Sequence, residues 1–317
     1  MFVTKVEIPE SSVKITHQDG ITALGSCFSE NIGEKMKNAC FNIDVNPFGV
    51  LYNPASIRNS LYLLQTDKKF AEKDLFFDGA LWHSFAHSSL FSDVSAEKCL
   101  EKINSQLEKS RLFFTKTRFL FITFGTSWVY EYTENSEIVS NCHKLPTQKF
   151  IRYSLTVEQI VNDYKELIQS LNAQNSDLQI IFSVSPIRHW KDGAHENNLG
   201  KARLLLAVNS LQNEFENVSY FPAYELLLDE LRDYRYYASD MLHPSETAIN
   251  YIWERFSEKY FSPETQKIKK ELEQLNADLA HRPLHPQSAS YQKFLENIEI
   301  KKRKLGEKYP FLNPFFS

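Results

Sequence analysis

The stretch Ile21-Thr22-Ala23-Leu24-Gly25-Ser26-Cys27-Phe28-Ser29 decides the fold. Its first four residues are mostly apolar and β-branched and read as a strand. Gly25 and Ser26 break the run, and from about residue 29 to 38 the apolar positions recur at helical spacing. A short apolar run at 41–45 completes a strand–helix–strand unit. A helix joining two strands predicts a parallel sheet, because parallel neighbours need a crossover that returns to the same end.

Residues 118–124 and 178–184 are almost continuously apolar, as strands buried on both faces are, and 218–221 supplies a shorter fifth strand. Helices are expected from Pro54 onward, at 96–111, 157–171 and 198–216, near 224–231, and from the cap Ser245 to about 260. Hairpins are expected around Phe77-Asp78-Gly79-Ala80 and between 129–132 and 137–140, the latter with Glu134-Asn135 at its tip. The predicted fold is therefore an α/β three-layer sandwich with about five parallel strands over residues 1–261. After residue 262 charged helix formers, interrupted at 280–286, predict a helical extension packed on the core and reaching 317.

With 317 residues, 42% of them hydrophobic, the chain can bury a large core. A net charge of -4 gives no overall attraction to polyanions, so no nucleic-acid partner is expected. The run Lys301-Lys302-Arg303-Lys304 reads as a solvated helix face. Residues 1–14 lack the features of a secretory signal, and no apolar run approaches the roughly 18 residues of a membrane span. A soluble, cytoplasmic protein with no membrane partner is expected. The thiols Cys27, Cys40, Cys99 and Cys142 have no metal-ligand spacing and are read as reduced.

In a parallel sheet the ligand lies beyond the carboxyl ends of the strands. Here those ends carry Gly25-Ser26, Asn46-Pro47-Phe48-Gly49, Gly125-Thr126-Ser127-Trp128, Ser185-Pro186-Ile187-Arg188-His189 and Asp240-Met241-Leu242-His243. A serine becomes a strong nucleophile when a histidine takes its proton and a carboxylate holds that histidine, and Ser26, His243 and Asp240 are those three groups. Cys27 is turned away by the helix, and Cys142-His143 has no orienting acid nearby. His83 and His87 lie four apart outside any helix, which argues against a metal pair. No metal or organic cofactor is called for. Arg188 and His189 are placed either to contact an anionic or hydroxylated substrate or to form structural ion pairs.

With these motifs in this order, the chain resembles the GSCFA-domain family, departing from the Gly-Ser-Cys-Phe-Ala signature only in Ser29. It looks like a branch of the SGNH (GDSL-like) hydrolases, whose fold is flavodoxin-like. The resemblance covers about residues 20–260, with a weaker match in the tail. It implies a Ser26, His243, Asp240 triad and a cofactor-free esterase acting on a small O-acyl ester, with acylated carbohydrate among the candidate substrates. An O-acyltransferase with the same triad and a non-catalytic binding module are the alternatives. It also implies an oxyanion hole made by the Ser26 amide, a glycine amide matched by Gly49, and an asparagine after the third strand. That asparagine is absent, since Gly125-Thr126-Ser127-Trp128 stands where Gly-x-Asn-Asp is expected. The candidate replacements are Asn53, Thr126, Ser127 and His83, with Thr126-Ser127 favoured by position. His83, Arg188 and His189 are the candidate substrate contacts.

Overall fold

A computed structural model describes residues 4–316 of the chain. Residues 1–3 and 317, the outer ends of the two segments expected from the sequence, lie outside the described residues. The opening stretch forms strand β1 (Gly20–Gly25) and helix α1 (Cys27–Asn38), followed by β2 (Ile43–Val45). Helix α1 starts two residues earlier than expected because the Ser26 side chain caps it, accepting the Phe28 amide. Asn53 caps α2 (Pro54–Gln65) in the same way through the Ser56 amide.

Next come the short hairpin β3 (Phe76–Phe77) and β4 (Trp82–His83), helix α3 (Ala96–Phe114) and the long strand β5 (Thr117–Phe124). A three-stranded antiparallel excursion follows: β6 (Trp128–Tyr132), β7 (Glu137–Val139) and β8 (Phe150–Ser154). The first two are the expected hairpin. Strand β8 was not expected, because its half-buried residues show no clean alternation and become a strand only by pairing with β6. The chain then alternates through α4 (Val157–Gln174), β9 (Gln179–Val184), α5 (Gly193–Glu214), β10 (Val218–Phe221), the single turn α6 (Ala223–Glu225) and α7 (Glu246–Tyr260).

The main sheet is five-stranded and parallel throughout, in the order β10-β9-β5-β1-β2. In order of appearance this is 2-1-3-4-5, the flavodoxin-like arrangement, whose direction reverses between the first and third strands. Here that switch point lies between β1 and β5. Alternation along β5 sends Leu120, Ile122 and Phe124 into a core shared with α2 to α5. Phe119 and Phe121 point the other way, against α1 and α7. Each such buried side chain contributes about 1.5–3 kcal/mol, so the two cores hold the three layers in register.

The C-terminal segment consists of α8 (Pro263–Leu279) and α9 (Ala289–Lys308), packed together through Leu272, Leu275, Ile298 and Leu305. Polar bonds tie α8 to the sandwich: Thr265 donates to the Ile15 carbonyl, and buried Lys269 pairs with Glu254 of α7. In the basic run, Lys301 pairs with Asp278 and Lys302 with Glu299. Among the described residues no helix is long and apolar enough to cross a membrane.

Candidate active site

Ser26 stands where β1 ends and α1 begins, beside the switch point. Its Cβ lies 3.4 Å from where a Cβ on Gly125 would be, so the ends of β1 and β5 touch at this residue. Ser26 is almost fully buried. Its Oγ accepts the Phe28 amide at 3.3 Å, which leaves the hydroxyl proton available. The backbone amide does not point into an oxyanion hole as expected. It continues the strand ladder and donates to the Thr123 carbonyl at 3.3 Å. The neighbouring Cys27 is half-buried, and burial pushes its thiol pKa up, which disfavours a thiolate there.

Asp240 and His243 form the expected pair. His243 Nδ1 lies 2.6 Å from Asp240 Oδ2, and Asp240 Oδ1 accepts the amides of Leu242 and His243, both at 2.9 Å. These amide bonds, with the His243 side chain, hold the carboxyl down to about 2. Met241 takes a left-handed conformation (φ 60°) to close the turn. The pair is half-exposed and makes no hydrogen bond to Ser26. Its loop is built from local bonds such as Ala238 N–H to the His243 carbonyl, so it is not tied to β1.

The expected oxyanion donors divide. The Gly49 amide is taken by a turn, donating to the Asn46 carbonyl at 2.7 Å. Gly49 is glycine for another reason: φ is +81° and a Cβ would sit 2.0 Å from Ser88 Oγ. Ser127 is also removed, because it is buried under α5 with Oγ 2.8 Å from Ser154 Oγ. His83 is committed to its hairpin, with Nδ1 at 2.6 Å from Ser92 Oγ and Nε2 at 3.0 Å from Asp78.

Asn53 and Thr126 remain. Asn53 Oδ1 caps α2 while its Nδ2 has no hydrogen-bond partner among the described residues. Thr126 Oγ1 accepts the Trp128 amide and keeps its own proton to donate. Its backbone amide is unavailable, since the Tyr52 carbonyl accepts both Gly125 N–H (2.7 Å) and Thr126 N–H (2.9 Å). The Tyr52 amide itself has no partner within the described residues.

Three residues that the sequence reading did not single out shape this site. Tyr52 clamps the loop after β5 and sets its ring edge-on to His189, 5.5 Å between centroids. Asn46, left-handed at φ 47°, accepts the Gly25 amide through Oδ1 and leaves a buried Nδ2 without a partner among the described residues. Lys201, fully buried on α5, donates to the carbonyls of Gly125 (2.7 Å) and Ser185 (2.6 Å) and has no carboxylate partner among the described residues. Burial lowers its pKa to about 7. Lys201 shares a helical stripe with Leu204, Val208 and Leu211, and a charge within an apolar stripe is the sequence signal for it.

Of the expected substrate contacts, Arg188 and His189 both lie at this end of the sheet. Among the described residues Arg188 reaches only Asn198 Oδ1, at 3.3 Å. The His189 ring is held neutral, its pKa lowered to about 4 by burial and then by the nearby Lys201 charge. Among the described residues no group of three His, Cys, Asp or Glu side chains could hold a metal ion.

The GSCFA family profile matches residues 20–256, which span β1 through most of α7. The profile described as the GSCFA domain protein, C-terminal domain, matches residues 272–315, on α8 and α9. Comparison with curated proteins finds no match. Asp240 and His243 do not end a sheet strand as expected, since β10 stops at Phe221 and the pair sits in the loop before α7. With the larger profile covering every strand and both the Ser26 and Asp240–His243 segments, the chain belongs to the GSCFA family.

Proposed function

We propose that the chain is a serine hydrolase of the SGNH type, an esterase acting on an O-acyl ester carried by carbohydrate. One observation carries this reading: a serine capping a helix at the switch point of a flavodoxin-like sheet, in a chain that also forms an Asp240–His243 pair at 2.6 Å. His243 takes the Ser26 proton as Oγ attacks the acyl carbon. The proton then passes to the leaving alcohol, and water, activated by the same histidine, releases the acid. Asp240 stays ionised and holds the imidazole in the required tautomer. The developing oxyanion is met by Asn53 Nδ2, the Thr126 hydroxyl and the free Tyr52 amide. The Asp240–His243 loop must close on Ser26, since catalytic bonds are often loose before substrate binds. A sugar hydroxyl in place of water makes the same chemistry an acyl transfer. The four free thiols suit a reducing compartment such as the cytoplasm.

A fluorophosphonate probe tests the reading. Labelling should map to Ser26, vanish in Ser26→Ala and fall strongly in His243→Ala. The burial of Ser26 and its missing bond to His243 favour a second reading, a binding module that keeps the fold without the chemistry. Folded wild-type protein that takes up no probe supports that reading instead.

A further inference from the structure

A cavity of about 570 Å3 opens beside Asp240, bounded by Arg188, Trp190, Arg232, Tyr234 and Tyr237. Its size suits one or two sugar rings. Trp190 and Tyr234 are 55% and 76% exposed, so two large rings stand open at its wall instead of packing in a core. Such faces are matched by the apolar C–H face of a pyranose, while the indole N–H and phenol bond to hydroxyls.

The charges around the cavity are unequal in what they have left to offer. Asp240 is taken by His243 and two amides, and Asp233 accepts the Arg235 amide and lies 3.7 Å from its guanidinium. Arg188 reaches only Asn198, and Arg232 only Thr4 Oγ1 at 3.2 Å; neither has a carboxylate partner among the described residues. The free groups are thus two guanidinium forks, whose planar donors fit a carboxylate better than any other side chain does.

We propose that this cavity binds an acidic sugar, with a ring face on Trp190 or Tyr234 and the sugar carboxylate on Arg188 and Arg232. The substrate class is then an O-acylated glycan containing uronic acid, which rests on the esterase reading for the ester but not for the binding. The ester of the bound sugar, or of its neighbour, faces the Asp240–His243 side.

Cellobiose and cellobiouronic acid differ by one carboxylate and carry no ester, so calorimetric titration of the wild-type chain with each reads recognition without turnover. The acid should bind roughly tenfold tighter or better. Arg188→Gln with Arg232→Gln should remove most of that gap, and Trp190→Ala with Tyr234→Ala should weaken both sugars alike. Equal affinities, or no binding of either at millimolar concentration, overturn the proposal. Failure of the esterase reading shows separately, as absent probe labelling at Ser26 with the affinity gap intact.

Discussion

Lys201 Nζ lies 2.7 Å from the carbonyl oxygen of Gly125, the residue that meets Ser26 across the switch point. A second bond, to Ser185, lets this one side chain join the ends of β5 and β9 beneath the site. An ammonium this deep is costly without a carboxylate, and two carbonyl dipoles offset only part of the cost.

The cost makes stability depend on pH. In the unfolded chain Lys201 holds its proton to about pH 10.4, whereas in the fold the pKa is lowered to about 7. Between these values the unfolded state binds the extra proton, so this group makes the protein more stable as pH rises. Relative to Lys201→Met, the wild type should gain about 2 kcal/mol between pH 7 and 9. Urea midpoints of both proteins at the two pH values check this; a constant difference would show that Lys201 does not titrate there.

Asp240→Asn keeps an oxygen for the two loop amides but loses the anion that orients His243. On the proposed esterase reading, ester turnover should fall roughly ten-thousandfold, as expected when the base is left in the wrong tautomer. The half-exposed pair adds little to folding, so the thermal midpoint should stay nearly unchanged. A loss under tenfold in rate would remove Asp240 from the triad.

Asn53 has two separable parts, an acceptor capping α2 and a donor with no partner among the described residues. Asn53→Asp preserves the cap and removes the donor, while Asn53→Ala removes both. If the proposed esterase reading holds with Asn53 as an oxyanion donor, both variants should lose about a hundredfold in turnover, and only the alanine should lose about 1 kcal/mol of stability. If the aspartate variant turns over like wild type, Thr126 is the side-chain donor.

Gly49→Ala meets both a left-handed backbone and Ser88 Oγ at 2.0 Å. It should destabilise the protein by about 1–3 kcal/mol while the folded fraction keeps its rate per molecule. Adding Ser88→Ala should restore only part of the loss, because the backbone strain stays. A selective loss of rate at unchanged stability would return Gly49 to the oxyanion hole.

The sequence by itself determined the layers of the main sheet and which residues end its strands. Continuous apolar runs such as 118–124 can be satisfied only between two helical layers, and serine or asparagine before an apolar period caps a helix wherever that period leads. The Asp240–His243 pair was equally legible, because three residues of one turn make it without help from the rest of the chain. Tertiary structure decided what depends on partners distant in sequence. Strand β8 exists by pairing with β6, and the Gly125-Thr126 amides are claimed by Tyr52, more than seventy residues upstream. Ser127 and His83 look as available as Thr126 in sequence. They leave the site because Ser154, Asp78 and Ser92 bond to them first. Whether a donor faces substrate depends on which of its hydrogen bonds are already made, and only the packed chain brings those partners within reach.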